Sequence, residues 1–242
     1  MKKVFYPASE RGYVDHGWLK AFHSFSFGSY FNPKKVNFGA LRVFNDDTIA
    51  GGFGFGKHPH DNMEIITIPL EGRLKHKDST GNEGVIEKGE VQVMSAGLGI
   101  EHSEANADKS ELLKLFQIWI FPDKKNVSPR YDQLDYTDKI RPNEFTLLVS
   151  PNGENETLWI HQNAWISVAG FDSGLERKYS IKGGDNGVYI MLIDGEIEVE
   201  DQLFEKRDAI GIWDTDSVDI RANKKSDILV LDIPMEVPGF VQ

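Results

Sequence analysis

Cysteine is absent from this chain of 242 residues, and its absence excludes several classes of chemistry. Without thiols the chain has no disulfide bond, no cysteine nucleophile and no thiolate ligand for a metal. Any metal centre must therefore do without thiolate ligands. A chain of this length can still bury a substantial core, as one large β-domain or as two smaller ones.

Positive charge is also scarce. Lys and Arg total 27 against 38 Asp and Glu, so the formal net charge is −11. Nucleic-acid binding depends on Lys and Arg side chains that neutralise phosphates, so an acidic surface disfavours direct binding of DNA or RNA. A local basic patch around Lys124, Lys125 and Arg130 remains compatible with the sequence. The same acidic surface would suit a basic protein partner.

Long apolar runs are missing as well. No stretch approaches the roughly 20 apolar residues that cross a bilayer, and residues 1–7 lack the apolar core of a signal peptide. We therefore expect a soluble cytoplasmic protein without a membrane-spanning segment.

The chain instead contains many short apolar or alternating runs, separated by Gly, Asp, Asn and Pro. Examples are residues 41–44, 64–70, 91–94, 115–121, 188–193 and 228–233. Such spacing favours an all-β sandwich or barrel over strands that alternate with helices. Helical patterns are few and weak, so we predict an all-β fold.

Two halves of the chain resemble each other. A turn at Gly72 and an acidic turn at 87–90 recur, at a slightly shorter spacing, as a turn at Gly195 and an acidic turn at 205–208. The polar, proline-containing segment 122–143 lies between them and is predicted to connect them. We expect an N-terminal domain at 1–130 and, at 131–242, the connector followed by a C-terminal domain.

Two pairs of polar residues carry the functional signal. His58 and His60 are two apart, as are His102 and Glu104, and both pairs follow glycine-rich segments. Side chains two apart on a strand point to the same face, and Pro59 predicts an edge strand or a strand start. If the two strands are neighbours, three imidazoles and one carboxylate converge. Such donors suit Fe, Mn, Co, Ni, Cu or Zn.

Nearby residues leave alternatives open. Glu64 follows His60 by four positions and could be a fifth ligand, a competitor of Glu104, a hydrogen-bond acceptor for a ligand histidine, or a carboxylate at the rim. Phe53 and Phe55 could line a pocket for a flat aromatic molecule, although core packing explains them equally well.

The remaining histidines are interpreted as non-ligands. His16 and His23 lie among aromatic residues and are typical of core or rim positions. His76 follows Lys75 in a charged stretch, which predicts a solvated side chain. The second half contains only the isolated His161, so we expect the metal in the first half.

Several motifs together resemble the pirin family, a branch of the cupin superfamily. They are His16-Gly17-Trp18-Leu19, His23-Ser24-Phe25-Ser26-Phe27, the segments 55–64 and 94–104, Gln117-Ile118-Trp119-Ile120 and Ser128-Pro129-Arg130-Tyr131. The resemblance is strong over residues 11–131 and general over the remainder. It implies a bicupin, with two stacked antiparallel β-barrel (jelly-roll) domains. The metal is expected in the N-terminal cupin domain, and the C-terminal cupin domain is expected to be degenerate.

The resemblance also implies a ligand set and two classes of function. The ligands would be His58, His60, His102 and Glu104, with Glu64 in a supporting role. One divalent ion is expected, Fe(II) first, with Ni, Mn, Co, Cu and Zn as alternatives. Some pirins act as quercetin 2,3-dioxygenases, and others as regulators that bind partner proteins.

The leading hypothesis is therefore a dioxygenase that cleaves the heterocyclic ring of a flavonol with O₂. Glu104 would be both ligand and general base. The alternative is a non-enzymatic sensor of redox state or ligand that binds a protein partner.

Overall fold

The computed structural model describes residues 1–239 and consists almost entirely of β-strands. In the first half these are β1 (Lys2–Tyr6), β2 (Gly12–Asp15), β3 (Leu19–His23), β4 (Leu41–Ile49), β5 (Gly54–His60), β6 (Glu64–Glu71), β7 (Arg73–Asp78), β8 (Glu83–Glu87), β9 (Glu90–Ser95), β10 (Ile100–Asn106) and β11 (Leu113–Ile120). There follow β12 (Arg130–Asp135), β13 (Thr146–Ser150), β14 (Leu158–Trp159), β15 (Trp165–Phe171), β16 (Glu176–Ser180), β17 (Asn186–Asp194), β18 (Ile197–Val199), β19 (Gln202–Phe204), β20 (Ala209–Trp213), β21 (Ser217–Ala222) and β22 (Ser226–Pro234). Short 3₁₀ turns occur at Ala8–Glu10 and Glu154–Glu156. Neither of these helices, the two that the described residues contain, is long and apolar enough to cross a membrane.

The strands form four sheets, two in each half of the chain. The first half has a seven-stranded sheet in the order β12-β9-β6-β11-β4-β3-β2 and a four-stranded sheet in the order β5-β10-β7-β8. The second half has a seven-stranded sheet in the order β1-β20-β17-β22-β15-β13-β14 and a four-stranded sheet in the order β16-β21-β18-β19. The central strand orders correspond one to one, so the repeat inferred from the turns is present in the topology.

Two edge strands each pair with a large sheet that is formed mainly by the other half of the chain. β1 pairs with β20 of the second half, while β12, within the predicted connector, pairs with β9 of the first half. The first seven-stranded sheet therefore extends to Asp135. Each half completes its large sheet with a strand from the other side of the chain, which ties the halves together through backbone hydrogen bonds.

Apolar side chains fill three layers between the four sheets. Between the two large sheets, side chains from both halves meet, among them Phe44, Phe116 and Tyr189. The large strands β17 and β22 are buried on both faces, as expected for central strands with near-continuous apolar sequence. The space between the sheets of the second half holds Phe171, Phe204 and other apolar residues.

Candidate metal centre

β5 and β10 lie side by side and bring the predicted histidines together. In the antiparallel register His102 is opposite His58, and Ile100 is opposite His60. One ring nitrogen from each of the three histidines lies within 4.8 Å of the others. The ring centroids are 4.4 Å apart for His58 and His102, and 4.9 Å apart for His60 and His102. β5 is the edge strand of its sheet, as Pro59 predicted.

A register shift between His102 and Glu104 sets the geometry of β5. Two residues of β10 span three of β5 here, since Glu104 is opposite Phe55. Such a bulge bends the strand and redirects side chains next to it. His58 Nδ1 lies 2.7 Å from the carbonyl oxygen of Gly56, to which it donates, so Nε2 keeps its lone pair. A neutral imidazole in this tautomer can bind a metal.

Two of the three histidines, His60 and His102, favour the neutral form. Burial, reinforced by the neighbouring rings, lowers the pKa of His102 to about 3 and that of His60 to about 4. Neither ring nitrogen of His102 has a hydrogen-bond partner among residues 1–239, although the side chain is buried. Unpartnered buried nitrogens are rare in native proteins. A cluster of three imidazoles, in which both ring nitrogens of His102 lack a partner among residues 1–239, fits a divalent transition metal.

Glu104 is buried beside these rings and belongs to a second group of donors. One of its carboxylate oxygens lies within 4.8 Å of ligand atoms on His76 and His102. Gln117 Nε2 donates to Glu104 Oε2 at 2.9 Å, and Thr67 Oγ1 lies 3.4 Å from Oε1. These hydrogen bonds lower the pKa of Glu104. Burial raises it, and because the effect of burial is larger, the pKa is about 7. The carboxyl is therefore placed to exchange a proton near neutral pH.

A row of buried polar side chains supports Glu104 from the large sheet. One residue from each of five adjacent strands contributes to it: His23, Asn45, Gln117, Thr67 and Gln92. His23 Nδ1 and Asn45 Oδ1 are 2.7 Å apart, and Thr67 Oγ1 lies 3.2 Å from Gln117 Oε1. The row fixes the Gln117 amide that holds Glu104. A polar residue between apolar neighbours, as at Thr67, Gln92 and Gln117, is the sequence signal for it in β6, β9 and β11.

The prediction of a solvated His76 is wrong. The side chain is fully buried, its Nε2 lies 3.2 Å from Asp78 Oδ2, and its ring stacks on Tyr131 with centroids 4.6 Å apart. The physical reason is the alternation of β7, in which Leu74, His76 and Asp78 face inward while the charged residues between them face solvent. Alternation from the apolar Leu74 would have predicted that His76, two residues further along the strand, also faces inward.

The two predicted substrate-facing phenylalanines occupy different positions. Phe55 lines a cavity of about 450 Å³ that also contains the histidines and Glu104. Phe53 is 53% exposed and does not line the cavity, but it stacks on Trp18, which does, with centroids 6.3 Å apart. Trp18 also contacts Phe55 edge to face. The aromatic wall is completed by Phe27 and Trp119, which sequence reasoning did not single out.

Comparisons with known proteins match both halves of this architecture. A family model described as Pirin matches residues 5–120, and one described as the quercetinase C-terminal cupin domain matches residues 147–233. A protein of Escherichia coli K12 named quercetin 2,3-dioxygenase is 39% identical over 227 residues, which cover 94% of this chain and 96% of that protein. A pirin-like protein of Caulobacter vibrioides is also 39% identical, over 93% of this chain and 97% of its own length. The chain belongs to the pirin family.

Solved pirin structures share the fold over the whole chain. The E. coli pirin YhhW in complex with nickel(II) matches with a TM-score of 0.91 at 37% identity, over 98% of this chain and 100% of that one. A quercetin 2,3-dioxygenase of Acinetobacter baumannii matches with a TM-score of 0.78 at 19% identity, over 96% of this chain and 85% of that one, a likeness of fold alone. The predicted all-β, two-domain cupin architecture is confirmed.

Glu64 faces away from the histidine cluster of this pirin. The segment between β5 and β6 turns at Asn62, whose φ of 43° interrupts the strand, so the four-residue spacing from His60 no longer preserves the face. Ser95 Oγ donates to Glu64 Oε2 at 2.7 Å, and His161 Nδ1 lies 3.1 Å from Oε1. Glu64 thus joins the two halves at their interface.

Proposed function

We propose that this pirin is a metal-dependent dioxygenase that opens the heterocyclic ring of a flavonol such as quercetin. The observation that carries the proposal is the cavity in which three imidazoles and the buried carboxyl of Glu104 meet an aromatic wall. Its volume of about 450 Å³ lies within the range usual for small-molecule sites. Relatives named quercetin 2,3-dioxygenase support the same chemistry.

The aromatic wall suits a flat substrate. Trp18, Phe27, Phe55 and Trp119 line the same cavity as Glu104. Flat rings stack or pack edge to face on such residues, and these contacts add to the free energy of burying apolar area. A planar flavonol would be held between rings while one hydroxyl faces the histidines.

The proposed ligands are His58, His60, His102 and Glu104, all within residues 1–130. A divalent transition metal held there would act as a Lewis acid and would lower the pKa of a hydroxyl bound to it. Glu104, buried beside the histidines, would accept the proton of that hydroxyl as general base. Gln117 keeps the accepting carboxylate in place. Both atoms of O₂ would enter the ring-opened product as two C–C bonds of the heterocyclic ring break, and the carbon between these bonds would leave as carbon monoxide.

We propose Fe(II) as the working ion in a cytoplasmic enzyme. The nitrogen and oxygen donors accept several first-row ions, and the nickel(II) complex of YhhW is consistent with that breadth. Nickel, manganese, cobalt, copper and zinc are therefore the ions to compare.

The test is anaerobic loading with each metal, followed by oxygen uptake on addition of quercetin. We expect uptake that requires both metal and quercetin. Tight metal binding without uptake would instead support a regulator that binds a partner protein.

The same preparation tests the ligand set. His58→Ala and His102→Ala should remove the metal and the oxygen uptake, measured by elemental analysis and an oxygen electrode. His16→Ala, at an exposed position, and His161→Ala, in the second half, are the matched controls and should keep the metal. Equal metal in all four variants would overturn the assignment.

A further inference from the structure

A second carboxyl lines the cavity from the opposite sheet. Asp47 lies on β4 of the large sheet, whereas the three histidines lie on β5 and β10 of the small sheet, and both sets line the same cavity. The side chain of Asp47 is 5% exposed. Its neighbour Asp46 points the other way and pairs with two arginines. Alternation along β4 therefore places Asp47 at the interior wall.

Asp47 lacks the partners that buried carboxyls normally have. Its Oδ1 has no hydrogen-bond partner among residues 1–239. Asp78, equally buried, accepts hydrogen bonds from Thr80 and Asn82. A buried polar atom without a partner costs free energy, and such atoms in native proteins call for an explanation by function.

A second unpartnered polar atom lies in the same cavity wall. Trp119 Nε1 on β11 is buried and also has no hydrogen-bond partner in the described part of the chain. The ring of Trp119 meets His60 edge to face, with centroids 4.8 Å apart. Asp47 and Trp119 thus offer hydrogen-bonding capacity on the wall that the histidines do not occupy.

The protonated form of Asp47 can donate a hydrogen bond to an oxygen atom of a substrate. Burial, with smaller contributions from Asp46 and Glu104, raises the pKa of Asp47 to about 8, so the group carries a proton at neutral pH. A protonated carboxyl can donate to one substrate oxygen and accept from a hydroxyl with its other oxygen. A hydroxylated ring can use both capacities.

We propose that Asp47 is a specificity-determining residue that hydrogen-bonds an oxygen substituent on a flavonol ring other than the one held at the histidines. The inference rests on the proposed function, because Asp47 would bind the part of the same substrate that does not contact the histidines. It narrows the substrate class to flavonols that carry additional hydroxyls. A site with buried polar groups rejects analogues that leave those groups unpaired.

The test compares two flavonols that differ in remote hydroxyls. Quercetin carries them, and 3-hydroxyflavone keeps only the hydroxyl expected at the metal. Dissociation constants are measured without oxygen on metal-loaded protein, from quenching of tryptophan fluorescence. Wild type should prefer quercetin, and Asp47→Leu should reduce that preference by about tenfold, as expected for one lost hydrogen bond. Asp47→Asn should retain part of it.

The outcomes separate this inference from the proposed function. If wild type binds the two flavonols equally, or if Asp47→Leu weakens both equally, the inference is overturned. The wild-type comparison needs no variant, so it decides even if Asp47→Leu does not fold. Loss of discrimination in Asp47→Asn or Asp47→Leu without any oxygen uptake by wild type would sustain the recognition role and reject the dioxygenase. With turnover, the loss should appear in KM for quercetin more than in kcat.

Discussion

Among single residues, two buried glutamates, Glu64 and Glu104, differ in the half of the molecule that they contact. Glu104 lies against the histidines, whereas Glu64 bonds Ser95 and His161. Both are almost fully buried, so burial does not distinguish them. Their contacts do, and they predict different consequences for the same substitution.

Glu104→Gln keeps an oxygen donor of similar size but loses the basic carboxylate. We expect metal affinity to fall modestly and the flavonol-cleaving rate to fall by ~10²–10⁴-fold, as for loss of a general base. Glu64→Gln should leave the rate within about tenfold, since the side chain does not face the cavity. Steady-state rates at saturating metal decide. An inactive Glu64→Gln beside an active Glu104→Gln would reverse the assignment.

Asp47 should make the metal-free protein less stable as pH rises. Its pKa is about 8 in the folded protein and ordinary, near 3.8, in the unfolded chain. Between those values the folded state binds the extra proton, so the free energy of unfolding falls with pH by up to about 1.4 kcal/mol per unit. In urea titrations from pH 5 to pH 8 on chelator-treated protein, Asp47→Asn should show a shallower decline. Parallel profiles for the two proteins would contradict this prediction.

At the element scale, the turns set how β7 and its inward-facing histidine enter the small sheet. Gly72 connects β6 to β7 with a φ of 78°, and a Cβ there would lie 2.5 Å from the carbonyl oxygen of Leu112. Gly81, between β7 and β8, has a φ of 98° but open space around the same position. Both glycines have a positive φ, but only at Gly72 does another backbone segment lie close to the position of a Cβ.

Gly72→Ala should therefore destabilise the protein more than Gly81→Ala. Both substitutions place alanine in left-handed backbone at about 1 kcal/mol, and only Gly72→Ala adds a clash with backbone. We expect a further loss of about 1–3 kcal/mol in the free energy of unfolding from urea denaturation. Equal losses would show that the backbone near Leu112 yields freely.

At the scale of the whole molecule, a charged contact joins the two halves beside their shared apolar core. Arg207 Nε lies 2.8 Å from Asp46 Oδ2, and Arg207 also packs over the ring of Phe116. The two charged side chains are only 19% and 12% exposed. Breaking a mostly buried pair leaves a charge without its partner, which is costly.

Arg207→Met should lower the free energy of unfolding by about 2 kcal/mol, less than for an isolated buried pair because Arg11 still neutralises Asp46. The matched control is Lys206→Met, which removes an exposed pair with Asp194 and should cost less than about 1 kcal/mol. Thermal and urea unfolding of the two variants measure the difference. Similar losses for both would mean that the contact between the halves adds no stability.

The amino-acid sequence by itself determined the strand class, the repeat and the histidine pairs of this pirin. These depend on spacing along one chain segment: alternation in steps of two puts His58 with His60 and His102 with Glu104, and Pro59 predicts an edge strand or a strand start. The sequence alone does not specify that β5 pairs with β10; it predicts only that the side chains converge if the two strands are neighbours. The sequence shows polar residues between apolar neighbours, such as Gln92 and Gln117, but it does not predict which side chains they contact.

Only the tertiary structure decided which of these residues meet. The bulge opposite Glu104, the turn that directs Glu64 to His161, and the buried wall around Asp47 all depend on which strands pair and which sheet covers them. A shift of one residue in register moves a side chain to the other face of a sheet. Pairing between distant segments is set by the packing of the whole chain, so local periodicity does not specify it.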